Sequence, residues 1–117
     1  MDYIEQLGVN AKNAEKQTAT LKTIQKNAAL ELIAKRLLEN AELIKRENKK
    51  DIENAHANNM TAALIDRLTL NDARIESMAE GVTQIMQLAD PIGEVLGGGD
   101  IAEGLSLIKK RVPLVVI

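Results

Sequence analysis

The sequence predicts a mainly α fold: a helical N-terminal layer over residues 1–90, a β-hairpin over 91–112 and, at 113–117, the first strand of a sheet that these residues do not contain. Three observations carry this expectation. Residues 1 to about 90 are rich in Ala, Leu, Lys, Glu and Asn, repeat their apolar positions at helical spacing, and hold only Gly8 and Gly81. Residues 91–117 hold both prolines and five of the seven glycines, so composition breaks at Asp90-Pro91. The final run, Val112-Pro-Leu-Val-Val-Ile117, is β-branched and apolar, as in strands covered on both faces.

Taken in order, Ile4, Leu7, Ala11, Ala14, Thr18 and Leu21 draw one stripe down a first helix. Thr23 is placed to N-cap a second, which presents Leu30, Ile33, Leu37, Ala41 and Ile44. Asn40 marks a bend before a continuation to about Ala57, and His56-Ala57-Asn58-Asn59 reads as a stop. Thr61 caps a short helix bearing Leu64, Ile65 and Leu68. Asn71 caps the last helix, with Asp72 in its first turn complementing the dipole. Ile75, Met78, Ala79, Val82, Ile85, Met86 and Ala89 give that helix the best-defined apolar face in the chain. Beyond Pro91, Ile92–Leu96 is a strand candidate, Gly97-Gly98-Gly99-Asp100 a turn and Leu105–Val112 a second, antiparallel strand.

Composition excludes whole classes of chemistry. There is no Cys, hence no disulfide scaffold, no thiolate metal site and no cysteine nucleophile within these residues. His56 is the one histidine, and Tyr3 the one aromatic residue, too few for a histidine metal pair or a base-stacking platform. Fifteen Lys and Arg against 17 Asp and Glu give a net charge of −2, without the basic excess of a nucleic-acid-binding domain. The start, Met-Asp-Tyr-Ile-Glu, lacks the basic and apolar regions of a signal peptide. No apolar run reaches the ~20 residues that span a bilayer. The expectation is a cytoplasmic protein without nucleic-acid or membrane partners.

The short motifs favour structural roles. Gly97-Gly98-Gly99-Asp100-Ile101-Ala102 fits the loose dinucleotide pattern G-x-G-x-x-A, but the strand-like run from Leu105 leaves no room for the required helix, so a hairpin turn is preferred to a phosphate cradle. Glu53 and His56 spell the Glu-x-x-His of di-iron bundles, yet occur once and among asparagines, which favours a surface pair. Lys45, Arg46, Lys49 and Lys50 interleave with Glu47 and Asp51 as a solvated helix face, and Lys109-Lys110-Arg111 reads as solvated or edge-protecting. Met60, Met78 and Met86 read as core filler. No residue is assigned a catalytic, cofactor-binding or metal-binding role.

Six stretches carry a resemblance. They are Lys26-Asn27-Ala28-Ala29-Leu30 leading to Ile33-Ala34 and Leu38-Glu39-Asn40; Ile44 to Asn48 with Lys50-Asp51-Ile52; Ala63-Leu64-Ile65-Asp66-Arg67-Leu68 with Leu70; Arg74-Ile75-Glu76-Ser77-Met78-Ala79-Glu80-Gly81-Val82; Asp90-Pro91-Ile92-Gly93-Glu94-Val95; and Lys110-Arg111-Val112-Pro113-Leu114. In this order they resemble the amino-terminal part of the γ-glutamyl phosphate reductase (glutamate-5-semialdehyde dehydrogenase) family of the aldehyde dehydrogenase superfamily. The chain departs from the family at Gly97-Gly98-Gly99-Asp100, where a Trp and a Pro-Asn-Gly-Leu turn are usual, and at Val115, where Gly is usual.

The resemblance implies an aldehyde dehydrogenase-like α/β parent that reduces L-glutamyl 5-phosphate to L-glutamate 5-semialdehyde with NADPH, in proline biosynthesis. It further implies that the catalytic cysteine and main nucleotide contacts lie beyond residue 117, that this fragment is inactive and binds no NADPH, and that 113–117 open the nucleotide-binding domain. Residues 92–117 are expected to join copies into a homo-oligomer, both by the family's N-proximal arm and because a lone hairpin leaves apolar faces and edges open. The alternative is a stand-alone helical interaction module that binds a partner through Ile75–Met86.

Overall fold

The computed structural model describes residues 2–116, which form five helices and one two-stranded antiparallel hairpin. The helices are α1 (Tyr3–Thr18), α2 (Thr23–Glu39), α3 (Ala41–Ala57), α4 (Ala62–Leu68) and α5 (Asp72–Met86); the strands are β1 (Val95–Ala102) and β2 (Leu105–Lys110). The mainly α expectation holds.

Residues 26–88 make one compact unit. Its buried positions are Ala34 on α2, Asn48 and Ala55 on α3, and Ile75 and Ala79 on α5; Ile75, at 1% exposure, is the most enclosed. Small alanines at three of these positions let helix backbones approach closely, which suits a core with no Phe or Trp. Asn40 interrupts the α2–α3 run as expected, its Nδ2 donating to Arg36 O at 2.8 Å. The α3 stop falls at Ala57, followed by Asn59 at φ 54°, a left-handed conformation that Asn tolerates better than most residues. Asn71 caps α5 as expected, its Oδ1 accepting the Arg74 N–H at 2.9 Å. Thr61 occupies the N-cap position of α4, but its side chain makes no capping hydrogen bond.

A second unit joins the residues up to Gln25 with those from Ala89 onward. Here α1 opens with Asp2 in extended conformation, and the Glu5 side chain accepts the Asp2 N–H at 3.1 Å. This capping box is legible in Asp2-x-x-Glu5. Thr23 does not cap α2 as expected. It is the first helical residue, and the cap is made one position earlier by Gln25 Oε1, which accepts the Lys22 N–H at 2.9 Å. The Thr23 hydroxyl instead donates to Asp90 Oδ2 at 2.8 Å, while Asp90 Oδ1 accepts the Ile92 N–H at 3.0 Å. The compositional break at Asp90-Pro91 is thus a built corner.

The hairpin differs from its expected register. Ile92–Glu94 form a turn, with Gly93 at φ 88° and Glu94 N–H donating to Pro91 O at 3.2 Å. Gly97, Gly98 and Gly99 are not the turn; they lie inside β1, opposite Lys109, Ile108 and Leu107. The reversal sits at Glu103-Gly104, where Gly104 at φ 77° supplies the left-handed residue. Two register shifts, one between Val95 and Gly97 and one between Asp100 and Ala102, let the eight residues of β1 pair with the six of β2. Residues 112–116 continue without strand pairing, and Ile117 lies outside the described residues.

Candidate functional site

Two features stand out, one in each unit. The first is a cluster at the junction of α3, α4 and α5. Asn48 is buried, donates from Nδ2 to Leu68 O at 3.0 Å and accepts the Leu70 N–H at Oδ1 at 2.8 Å, so its amide stitches α3 to the turn after α4. Arg74 reaches back across the same turn to Thr69 O at 2.6 Å, to the Asp66 carbonyl and, from Nη2, to both Asp66 carboxylate oxygens at 3.1 Å. A guanidinium there satisfies the Thr69 carbonyl beyond the end of α4 and adds a second donor to the Asp66 carbonyl, which already accepts the Thr69 N–H at 3.2 Å. Lys45 sits between Asp72 and Glu42, each at 2.6 Å, and the Asp72 contact first, then Glu42, holds its ammonium above the ordinary lysine range. On the outer face of α3, Lys50 and then Arg46 hold Glu47 below the ordinary carboxylate range. Asn48, Arg74 and Lys45 each meet another protein group, so together they tie α3, α4 and α5 at this junction.

The second feature is the hairpin with the segment after it. Its base is closed by Gly93 N–H to Arg111 O at 3.0 Å, Arg111 N–H to Glu94 O at 2.9 Å and an Arg111–Glu94 ion pair at 2.8 Å. Leu105 and Leu107 share one face of the ribbon with Gly97 and Gly99; Ile108 lies on the other with Val95, and all of these apolar side chains are exposed. The three glycines strip β1 of side chains where it faces β2. Gly98 is the position that cannot do otherwise, since a Cβ there would lie 2.4 Å from Leu107 O.

The sequence motifs are placed as follows. Glu53 and His56 are exposed on α3, and among the described residues no three His, Asp or Glu side chains gather to hold a metal ion. The glycine run is committed to strand pairing and, among the described residues, no helix follows it, so its amides do not fit a nucleotide pyrophosphate. Ile75 and Ala79 of the α5 face are buried within their own unit, which removes them from the partner-binding role of the interaction-module alternative; Met78 and Ile85 remain exposed. A groove between α2 and α5 is lined by Ala34, Lys35 and Leu38 from one helix and Glu76, Ala79, Glu80, Thr83 and Gln84 from the other. No described helix is long and apolar enough to cross a membrane. Sequence reasoning missed Asn48 and Arg74, because a lone Asn in a Lys-rich helix and a lone Arg in a first turn carry no periodic signal.

No family model matches the chain. Full-length sequences do. A γ-glutamyl phosphate reductase of Francisella philomiragia is 49% identical over 97% of this chain, and that of Lachnospira eligens 48% over 100%. The solved γ-glutamyl phosphate reductase of Thermotoga maritima superposes with a TM-score of 0.90 over 96% of the chain at 32% identity. This chain is homologous to the amino-terminal part of the γ-glutamyl phosphate reductases. The reductase of Saccharomyces cerevisiae gives a TM-score of 0.84 at 28% identity, over 92% of the chain. The chain spans 28% of the length of the two bacterial relatives it matches and 27% of the Thermotoga maritima reductase. The six quoted stretches therefore mark a true relationship, and the glycine run at 97–99 is accommodated by the bulged β1 without loss of the hairpin.

Proposed function

We propose that these residues form the amino-terminal portion of an NADPH-dependent reductase that converts L-glutamyl 5-phosphate to L-glutamate 5-semialdehyde, a step of proline biosynthesis in the cytoplasm. The observation that carries this reading is the 48–49% identity to reductases of that name along essentially the whole chain. Reduction of an acyl phosphate by way of a thioester needs a cysteine thiolate to take the acyl group and expel phosphate. The 117 residues contain no Cys, so that role belongs to the part of the enzyme outside them. Bound NADPH would supply the hydride that releases the aldehyde. Because the glycine run does not fit the nucleotide, no residue here is given a part in that step, nor any catalytic or metal-binding role.

The contribution of this portion is then structural. Residues 1–90 supply a helical layer, 91–112 an arm that joins copies of the enzyme into a homo-oligomer, and 113–117 the entry to the nucleotide-binding domain. The exposed Leu105, Leu107 and Ile108 support the arm, since a two-stranded ribbon with apolar side chains on both faces needs further protein to cover it.

A chimera tests the reading. The 114 residues matched in the Escherichia coli reductase, 43% identical to this chain, are replaced by the present ones. The chimera is expected to reduce L-glutamyl 5-phosphate with NADPH and to relieve proline auxotrophy, whereas the 117 residues alone give no turnover. A chimera that folds and assembles but stays inactive would overturn the proposal, as would turnover by the isolated chain.

A further inference from the structure

The chain passes between its two compact units twice, once at Gln25-Lys26 and once at Leu88-Ala89. Thr23 and Asp90 stand just outside these crossings, both in the unit that holds the ribbon. They are 67 residues apart in sequence, yet the Thr23 hydroxyl donates to Asp90 Oδ2 at 2.8 Å. Local chemistry makes both groups available. The Lys22 N–H, an orphan donor at the start of α2, is taken by Gln25 Oε1 at 2.9 Å, so the Thr23 hydroxyl is not needed as a cap. Pro91 disfavours helical backbone at the residue before it, and Asp90 Oδ1 turns back onto the Ile92 N–H at 3.0 Å as an Asx turn. The two residues after Ile92 then close the ribbon: Gly93 N–H donates to Arg111 O at 3.0 Å, and Glu94 O accepts the Arg111 N–H at 2.9 Å.

We infer that Asp90 is a positioning residue, a clasp that holds together the segment by which the chain leaves this unit and the segment by which it returns. Each carboxylate oxygen serves a different segment, Oδ2 the first residue of α2 and Oδ1 the turn that opens the ribbon. A carboxylate accepts an O–H and an N–H at the same time, whereas an amide side chain has one acceptor oxygen for the two donors. The Asx turn and the Gly93–Arg111 closure follow one another along the backbone, so the hold on Asp90 passes directly to the base of the ribbon. Releasing Thr23 frees the carboxylate to rotate, loosens the Asx turn and leaves the ribbon base fastened at Arg111 alone.

The arm of the proposed reductase begins at this corner, and the clasp fixes where that arm starts. The contacts themselves lie within the 117 residues and do not depend on the reductase reading.

Amide hydrogen exchange of the 117-residue chain tests the clasp, with Thr23→Val, Thr23→Ser and Asp90→Ala. In Thr23→Val the Ile92, Gly93 and Arg111 amides are expected to exchange roughly fivefold faster, about the effect of one ordinary hydrogen bond. Asp90→Ala also removes the acceptor of the Ile92 N–H, so its effect at Ile92 is larger. Thr23→Ser keeps the hydroxyl and retains wild-type protection. Amides within residues 26–88, which form a compact unit of their own, keep their protection in all three variants. Equal exchange of Ile92, Gly93 and Arg111 in wild type and Thr23→Val overturns the inference. So does a loss of protection in Thr23→Val that spreads evenly over residues 26–88, since that is general destabilisation and not release of a clasp.

Discussion

Asn48 and Leu70 are 22 residues apart, yet Asn48 Oδ1 accepts the Leu70 N–H at 2.8 Å while its Nδ2 donates to Leu68 O at 3.0 Å. One buried amide therefore satisfies both a donor and an acceptor of the backbone between α4 and α5. Loss of that side chain leaves two backbone groups without partners in a half-buried turn.

Replacing Asn48 by Leu is expected to destabilise the helical unit by about 1–3 kcal/mol, the cost of leaving buried polar groups unmade. Asn48→Asp also loses stability, since the acceptor toward Leu70 survives but a carboxylate oxygen then faces Leu68 O. Urea titration checks both: the midpoint falls while its steepness stays constant. An unchanged midpoint for Asn48→Leu would show that the amide does not hold the turn.

Arg74→Met is expected to cost about 1–2 kcal/mol, through the Thr69 carbonyl that loses its donor and the Asp66 carboxylate that loses its ion pair, while the Asp66 carbonyl keeps the Thr69 N–H. Arg74→Lys restores only part of this, because an ammonium cannot span both carbonyls and the Asp66 carboxylate as the planar fork does. Thermal melts of the three proteins, with exchange rates of amides in α4, separate the outcomes.

The three glycines of β1 respond differently to alanine. Gly98→Ala forces a Cβ onto Leu107 O and is expected to disrupt the ribbon, at a cost of about 1–3 kcal/mol, whereas Cβ atoms at Gly97 and Gly99 meet nothing within 4 Å. Gly104→Ala strains the left-handed reversal by about 1–2 kcal/mol. Cross-strand nuclear Overhauser contacts between β1 and β2 report each change.

The acid response of α1 follows from Glu15. Its carboxyl sits below the ordinary range through Lys12 first and the Val116 N–H second, with Lys16 nearby adding to the effect. The folded state therefore binds its proton less readily than the unfolded chain. The contribution is present at neutral pH, above the unfolded value, and is lost as pH falls through the lowered folded value. A carbon-detected titration of Glu15 is expected to give a midpoint below that of exposed glutamates, and Lys12→Ala to move it upward.

His56→Ala is expected to change stability by no more than about 0.5 kcal/mol, as for an ordinary exposed residue. A bound metal lost in this variant would reopen the Glu53–His56 pair as a ligand set.

The sequence by itself determined the helical class, the α5 cap at Asn71, the α3 stop near Ala57 and the corner at Asp90-Pro91, because capping, helical periodicity and the prohibitions of proline act over a few residues. The six stretches also carried the relationship to the reductases, since a shared order of short motifs needs no tertiary structure to be read. Tertiary structure alone decided that Thr23 would answer Asp90, and that Gly97–Gly99 would lie within a strand while Glu103-Gly104 made the turn. A glycine run permits either conformation, and only the pairing of Leu107 and Ile108 across from it chooses the extended one. Asn48 and Glu15 were silent in the sequence for the same reason: their partners, Leu70 and Val116, are backbone groups 22 and 101 residues away, and a backbone N–H carries no residue identity by which a sequence could announce it.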